Sequence, residues 1–317
     1  MPALSEDVQP HPPSATRPAE PRGRRPWRRF AEARGWLGGF GGTTVTARLS
    51  ASDGTRLVGS LLPGPMQHGA AIVLAHGFGA SRRKPAYARL AEGLATTAPV
   101  LSLDLRGHGG SGGASTLGDL ERADVAAAAR WLAGLGLGRV VLVGASMGAT
   151  AVLHAAAREL GDRGQLGDSG DVEVAASRPM EVAGLVLISA PAWFRDPAPA
   201  GPLRRLERVW HDPLRRTALG VGLGIRLAPP SAWTGPPAPS ELLGRIAAPI
   251  LVVHGEDDAY FPLDDAFTLH AAARGPAQLW VEPVGFGHAE DGLSAAMVAR
   301  LTGAVDQVLS EGVFPPR

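Results

Sequence analysis

The sequence contains no cysteine, and only one of its 31 basic residues, Lys84, is a lysine. Without cysteine there is no disulfide, no thiolate nucleophile and no cysteine-based zinc site. No single sign of charge dominates either, since 31 basic residues face 30 acidic ones. Such a balance gives no overall electrostatic field that would attract nucleic acid or anionic lipid. We therefore expect no nucleic-acid partner.

Long apolar runs are also missing. No stretch reaches the ~18 uninterrupted apolar residues of a membrane-spanning helix. The nearest, residues 140–153, is short and contains Gly144, Ser146 and Gly148. Paired arginines at residues 24–29 suggest an export signal, but no apolar segment follows them. We expect no membrane span and a cytoplasmic location.

The chain divides by composition into a short tail and a long globular part. Residues 1–40 are rich in proline and arginine and have few large aliphatic side chains, which predicts a disordered tail. Residues 41–317 are long enough to bury a large core without a disulfide or a metal as a staple. Within them, the polar, glycine-rich stretch 161–180 predicts a surface loop.

Short apolar runs alternate with longer alanine- and leucine-rich stretches from residue 43 onward. Two runs joined through Asp53 and Gly54 predict an antiparallel hairpin of residues 43–49 and 56–62. Further strands, most of them unbroken apolar runs typical of a parallel sheet, follow at residues 71–75, 100–103, 140–143, 185–188, 250–254 and 278–282. With helices between them, these strands predict an α/β fold whose doubly wound sheet is mostly parallel.

An insertion at residues 191–240 interrupts this alternation. It holds ten of the 28 prolines, which favour a rigid or irregular structure. Four aromatic residues of the insertion either line an apolar acyl or alcohol pocket or merely attach the insertion to the main domain. These residues are Trp193, Phe194, Trp210 and Trp233.

The strongest local motif is the segment Gly-Ala-Ser-Met-Gly at residues 144–148, directly after a predicted strand and before a predicted helix. A sharp turn in this setting holds a serine in strained geometry, and the flanking glycines avoid clashes with strand and helix. The alternative is a glycine-rich turn with an ordinary helix-capping serine. We interpret Ser146 as a nucleophile.

A serine hydroxyl needs a base, and the base needs an orienting partner. In open α/β sheets, catalytic groups gather beyond the carboxyl ends of the strands. The loop after the next-to-last predicted strand carries Glu256, Asp257 and Asp258, and the loop after the last one carries His288. These loops supply a carboxylate and an imidazole in the chain order Ser, Asp, His.

Taken together, the motifs resemble the α/β-hydrolase superfamily, in particular its compact serine esterase and peptidase-like members, over about residues 45–312. The segment His-Gly-Phe-Gly at 76–79 stands where the family has its oxyanion loop, and residues 104–111 resemble its Asp-x-Arg-Gly-x-Gly-x-Ser segment. The resemblance implies an α/β-hydrolase fold with a small cap inserted at about 191–240. It favours Asp258 as the acid over Asp257 and Glu256, because Pro262 follows Asp258 as in the family pattern.

The resemblance implies a serine hydrolase that cleaves a small carboxylic ester without a cofactor or a metal. Ser146 would attack the acyl carbonyl, His288 would transfer the proton and Asp258 would fix the imidazole tautomer. The backbone N–H groups of Phe78 and Met147 would bind the oxyanion. An aminopeptidase, a thioesterase, an acyltransferase or a perhydrolase could use the same residues. A catalytically silent binding protein is the alternative from another class.

Overall fold

The computed structural model describes residues 38–160, 180–194 and 201–317. Their strands are β1 (Val45–Ser50), β2 (Arg56–Leu62), β3 (Ala70–Ala75), β4 (Val100–Asp104), β5 (Arg139–Ala145), β6 (Glu181–Ile188), β7 (Ile250–Gly255) and β8 (Ala277–Glu282). They form one sheet in the order β1-β2-β4-β3-β5-β6-β7-β8. The β1–β2 and β2–β4 pairs are antiparallel and the other pairs are parallel. The predicted α/β fold, with its hairpin and mostly parallel sheet, is confirmed.

Helices cover both faces of this sheet. Those in the described segments are α1 (Pro85–Leu94), α2 (Glu121–Gly134), α3 (Met147–Arg158), α4 (Gly201–His211), α5 (Pro213–Leu223), α6 (Pro239–Leu243), α7 (Leu263–Ala272) and α8 (Ala295–Glu311), with 3-10 turns at Pro230–Ala232 and Ala289–Gly292. In β3, Ala71 and Val73 belong to the apolar core that includes α2 and α3. Ile72 and Leu74 belong to the core that includes α1 and α8. Burial on both faces is the reason why the strand is apolar at every position.

The parallel strands point their carboxyl ends to the same edge of the sheet. The segments that leave β3, β5, β6, β7 and β8 therefore lie side by side at this edge. They carry the oxyanion-loop motif, Ser146, the acidic loop and His288. Residues far apart in the sequence are brought together by sheet order alone.

The insertion predicted at 191–240 contains helices α4 and α5, a 3-10 turn and the start of α6. Of the two alternatives that its prolines favour, rigid or irregular, the irregular one does not describe these residues, because several of the prolines begin helices. Pro213 begins α5 directly after Asp212, whose carboxylate accepts hydrogen bonds from the first turn. Proline suits this position because the first helical N–H has no intrahelical partner. A parallel bridge between Ser115 and Leu227 attaches the insertion to the segment between β4 and α2.

Two predictions fall mainly on residues that the structure does not describe. The tail at 1–40 lies outside the described residues except for 38–40, and the loop at 161–180 does so except for residue 180. Within the described ranges, no helix is both long enough and apolar enough to cross a bilayer.

A buried ion pair anchors the loop that follows β4. The Arg106 side chain donates to Asp124 of α2 from Nε at 2.9 Å and from Nη2 at 2.6 Å, and the Arg106 backbone N–H donates to the same carboxylate at 2.8 Å. Arg106 also pairs with Asp53 at 2.7 Å. The Asp124 side chain is 0% exposed and that of Asp53 is 44% exposed, so the two pairs differ in burial as well as in the number of hydrogen bonds.

We predict that Asp124→Ala lowers the free energy of unfolding by about 3–5 kcal/mol, because it leaves a buried guanidinium without its main partner. The matched change Asp53→Ala removes the solvent-exposed partner of the same arginine and costs at most about 1 kcal/mol. Urea unfolding of the two variants measures both values. Equal losses would contradict this account of the ion pair.

Candidate active site

Ser146 lies at a tight turn between β5 and α3. Its backbone has φ 53°, a conformation that costs a non-glycine residue energy. The Ser146 N–H donates to the Ile188 carbonyl at 2.8 Å, which ties the turn to the end of β6. A Cβ on Gly148 would lie 2.3 Å from the Ala75 carbonyl oxygen, and one on Gly144 would lie 2.3 Å from the Gly148 carbonyl oxygen. Only glycine fits at either position.

The structure brings Ser146, His288 and Asp258 into one chain of hydrogen bonds. The His288 Nδ1 atom is 2.8 and 2.9 Å from the two oxygens of Asp258, and Nε2 is 2.9 Å from Ser146 Oγ. An ionised carboxylate can only accept, so Nδ1 carries the proton. Nε2 is then free to accept the serine proton, as a general base requires.

The Asp258 carboxylate is fully enclosed, with its side chain 0% exposed. Burial raises the pKa of Asp258, but the hydrogen bond from His288 and the N–H groups of Tyr260 and Phe261 together bring it below its ordinary value. The carboxylate is therefore ionised at neutral pH. Asp258 stabilises the fold above the ordinary carboxyl pKa, and this contribution is lost as the pH falls through its lowered pKa.

The neighbouring acids have other contacts. Asp257 accepts from the N–H groups of Gly285 and Gly287, which supports the loop that carries His288. The bond from Gly285, followed by the bond from Gly287, lowers the pKa of Asp257. Glu256 is exposed, and its backbone N–H donates to the carbonyl of Glu282. Among the three acids, Asp258 is the one that contacts the imidazole.

Phe78 and Met147 both line the cavity beside Ser146. Neither backbone N–H has an acceptor among the described residues. The peptide before Phe78 is fixed by His76, whose Nε2 accepts from the Leu105 N–H at 3.1 Å and whose Nδ1 therefore donates to the Gly77 carbonyl at 2.8 Å. Since N–H and C=O of one trans peptide point in opposite directions, fixing the Gly77 carbonyl also fixes the Phe78 N–H.

A second histidine holds the next residue of the loop. The N–H of Gly79 donates to His108 Nε2 at 3.1 Å, so His108 Nδ1 carries the proton and donates to the Arg106 carbonyl at 2.9 Å. Burial, followed by the proximity of His76, lowers the pKa of His108 to about 3. Burial likewise lowers the pKa of His76. Both rings are neutral at pH 7 and hydrogen-bond to backbone rather than to Ser146.

The hydroxyl of Ser146 opens into a cavity of about 960 Å³. All four aromatic residues proposed for a pocket line it, namely Trp193, Phe194, Trp210 and Trp233. Phe194 packs edge-to-face on Trp233 with ring centroids 4.9 Å apart, and Trp233 packs edge-to-face on Trp210 at 5.8 Å. The indole N–H of Trp210 donates to the Ala228 carbonyl. Their rings form an apolar wall of the cavity.

Sequence reasoning missed several residues that surround the imidazole. The Tyr260 ring stacks on His288 with centroids 4.2 Å apart and an angle of 26° between the planes. Phe261 packs edge-to-face on the same ring. Leu117 and Glu290 also line the cavity. One signal was available, since Tyr260 follows Asp258 by two residues and is one of only two tyrosines in the chain.

No three histidine, aspartate or glutamate side chains come together in a way that could hold a metal ion anywhere in residues 38–160, 180–194 and 201–317. The residues that do converge suit acyl transfer, since they combine a serine hydroxyl, an imidazole hydrogen-bonded to it and unpaired N–H donors.

A family model described as the alpha/beta hydrolase family matches residues 72–296. This match spans most of the chain and includes the segment at 76–79, the turn at Ser146, the acidic loop and His288. The protein belongs to the alpha/beta hydrolase family. Among curated proteins, none matches the sequence.

Several solved esterases share the fold. An esterase of Pyrococcus furiosus superposes with a TM-score of 0.59 at 18% identity, over 84% of this chain and 92% of that chain. A thermophilic esterase of Thermogutta terrifontis superposes with a TM-score of 0.56 at 22% identity, over 86% of this chain and 99% of that chain. An esterase of a Rhodococcus species superposes with a TM-score of 0.55 at 21% identity, over 84% of this chain and 98% of that chain. At such identities the likeness shows a common architecture.

We predict that Gly148→Ala lowers the free energy of unfolding by about 3 kcal/mol or more, because the new methyl group collides with backbone that cannot move aside. Gly303→Ala on α8 is the matched control, since a Cβ there meets nothing within 4 Å. It should raise the free energy of unfolding by about 0.5–1 kcal/mol, because alanine favours a helix more than glycine does. Thermal and urea unfolding measure both changes. A tolerated Gly148→Ala would show that the turn is less tightly packed than described.

Proposed function

We propose that the protein is a serine hydrolase that cleaves small carboxylic esters through an acyl-enzyme intermediate. The observation that carries this proposal is the unbroken chain of hydrogen bonds from Ser146 through His288 to Asp258 at the end of the cavity. The ionised carboxylate of Asp258 accepts from Nδ1 of the imidazole, and Nε2 of the imidazole faces the serine hydroxyl, which is the arrangement that a general base requires.

In the first half of the reaction, Ser146 Oγ attacks the carbonyl carbon of the ester while His288 Nε2 removes its proton. The tetrahedral intermediate collapses when the carbon–oxygen bond to the alcohol breaks, and His288 returns the proton to the departing alkoxide. Asp258 stabilises the imidazolium through Nδ1–H. The stacked ring of Tyr260 limits the tilt of the imidazole and places a π face against the transient cation.

The negative charge of the intermediate needs donors already in place. The unpaired N–H groups of Phe78 and Met147 fit this need, since both residues line the cavity next to Ser146. Removal of one such donor typically costs about 3 kcal/mol of transition-state stabilisation. The neutral rings of His76 and His108 keep the loop in this conformation.

In the second half, a water molecule takes the place of the alcohol. His288 removes a proton from it, the resulting nucleophile attacks the acyl carbon, and the bond to Ser146 Oγ breaks as the serine regains its proton. The reaction needs no redox change and no group other than water. The four cavity aromatics favour an ester with an apolar acyl or alcohol part.

We predict that Ser146→Ala lowers kcat for a p-nitrophenyl ester by about 10⁶-fold and abolishes covalent labelling by a fluorophosphonate. Folding is checked by circular dichroism, since the variant loses only one oxygen atom. A wild-type protein that neither hydrolyses esters nor reacts with the fluorophosphonate would instead support a binding protein built on this scaffold. Retention of labelling in the variant would exclude Ser146 as the nucleophile.

The two adjacent aspartates provide a matched test of the acid. Asp258→Asn should lower kcat by about 10⁴-fold, because an amide donor at this position reverses the imidazole tautomer. Asp257→Asn keeps an acceptor oxygen for only one of the two glycine N–H groups but leaves the partner of the imidazole intact, and it should change kcat by less than about tenfold. Steady-state kinetics on one ester gives both values. The opposite ranking would assign the acid to Asp257.

A further inference from the structure

Three side chains outside the hydrogen-bonded triad connect the loop at residues 76–79 with the loop that carries His288. The hydroxyl of Tyr87 accepts from the Gly77 N–H at 2.9 Å and donates to Glu290 Oε2 at 2.8 Å. The other oxygen of Glu290 forms an ion pair with Lys84. Lys84 and Tyr87 stand at the start of α1, and Glu290 is two residues beyond His288. We call Lys84, Tyr87 and Glu290 the bridging network.

The direction of each hydrogen bond in the bridging network is determined. A backbone N–H can only donate, so the Tyr87 oxygen must accept from Gly77 and direct its own proton to Glu290. Burial raises the pKa of Glu290, but Lys84 and the Tyr87 hydroxyl outweigh it and bring the pKa below its ordinary value. Glu290 is therefore ionised at neutral pH and remains an acceptor.

Both peptide planes beside Gly77 are fixed, and by different side chains. Tyr87 holds the N–H of the plane before Gly77, while His76 holds the carbonyl of the plane after it. The second plane carries the Phe78 N–H. A Cβ on Gly77 would lie 3.2 Å from the Tyr87 oxygen and 3.4 Å from Ser146 Cβ, so the loop has little room to shift between them.

The bridging network also constrains the loop of His288. Ala289, between His288 and Glu290, has φ 51°, and its N–H donates to Ser189 Oγ at 2.9 Å. A strained residue keeps its conformation only when its surroundings hold it on both sides. Ser189 provides one of these supports and the bonds of Glu290 provide the other.

We propose that Lys84, Tyr87 and Glu290 are positioning residues that hold the oxyanion loop and the His288 loop at the separation that ester hydrolysis requires. This inference rests on the proposed function. None of the three transfers a proton in the reaction. They act through the Phe78 N–H and through His288, whose relative placement decides how well the developing charge is stabilised.

Stability alone is a weak reason for such a network. A buried ion pair is often no more stabilising than apolar side chains of similar volume, because both charges lose their hydration. The Glu290 side chain is only 18% exposed and that of Lys84 is 38% exposed, so part of this cost applies here. An ion pair does hold a tyrosine hydroxyl in one orientation, which an apolar group cannot do.

The first test is Tyr87→Phe, which removes one oxygen and leaves the Gly77 N–H without its acceptor. We expect kcat for a p-nitrophenyl ester to fall about tenfold, with KM changed by less than about twofold, because the lost alignment matters most in the transition state. An unchanged kcat with a lower Tm would mean a structural role only and would overturn the proposal. Thr97→Val is the matched control, because it removes a buried hydroxyl just beyond the other end of α1, where Thr97 Oγ1 donates to the Leu94 carbonyl at 2.9 Å, and it should leave kcat unchanged.

The second test uses charge and does not depend on Tyr87→Phe folding well. Lys84→Met removes the cation and should lower kcat about as much as Glu290→Gln, and the double variant should be no worse than either single one, since both act through one interaction. Lys84→Arg keeps the charge and should restore most of the activity. Additive losses, or an arginine variant as impaired as the methionine one, would contradict the network.

Because Lys84 is the sole lysine, amine chemistry can test the same point on the wild-type chain. Reductive dimethylation keeps the positive charge and should preserve most of kcat, whereas acetylation removes it and should reproduce Lys84→Met. The Lys84→Arg protein, treated in the same way, reports modification of the terminal amine alone. Equal effects of the two reagents on the wild-type chain would exclude a role for the charge.

The results separate this inference from the proposed function. Ester turnover and fluorophosphonate labelling that both depend on Ser146 establish the hydrolase, whatever the bridging network does. If those hold and the three variants leave kcat unchanged, only the network is wrong. If the wild-type chain lacks both reactions, the proposed function fails and the positioning role fails with it.

Discussion

The site depends on how closely the backbone of one turn packs against its neighbours. At Ser146 the chain passes from β5 into α3 with a positive φ, and the first turn of α3 leaves no room for a side chain at Gly148 against the end of β3. This close approach sets where the serine oxygen emerges. It also places the Met147 N–H, because that residue is the first of the helix. The candidate nucleophile and one candidate oxyanion donor are therefore fixed by the same packing.

Backbone strain in the described residues is concentrated around this turn. Among the described residues, four that are not glycine have positive φ: Leu117, Ser146, Ser189 and Ala289. Leu117 and Ser146 line the cavity, and Ser189 and Ala289 hydrogen-bond to each other beside His288. Each such residue costs of order 1–3 kcal/mol, so the surrounding structure must enforce it. A parallel sheet with two apolar layers supplies that enforcement and leaves the carboxyl edge as the place where strain persists.

The sequence predicted most of the sheet because strand residues that are buried on both faces are apolar, as in β3 and in residues 140–145 of β5. The turn at Ser146 could be predicted for a related reason, since strand, glycines, serine and helix are contiguous. The helices of the insertion could not be predicted from composition. Proline disfavours the interior of a helix but favours its first turn, and a count of prolines does not show which of the two positions each one occupies. Tyr87 and Glu290 were also missed. Their contact spans 203 residues of sequence and has no local pattern.

The electrostatics of the site follow from which groups are prevented from ionising. His108 is buried and its pKa lies near 3 instead of 6.5, so an unfolded chain binds a proton in this pH range that the folded protein does not. The contribution of His108 to the free energy of unfolding therefore falls as the pH drops below about 6.5, and it levels off near pH 3, where the folded protein also binds the proton. The cause lies in the loop beside Phe78, since a protonated His108 could no longer accept from the Gly79 N–H. Neutrality of these rings is thus required for the shape of the loop that carries the Phe78 N–H, while the His288 ring contacts Asp258, Ser146 and the cavity instead.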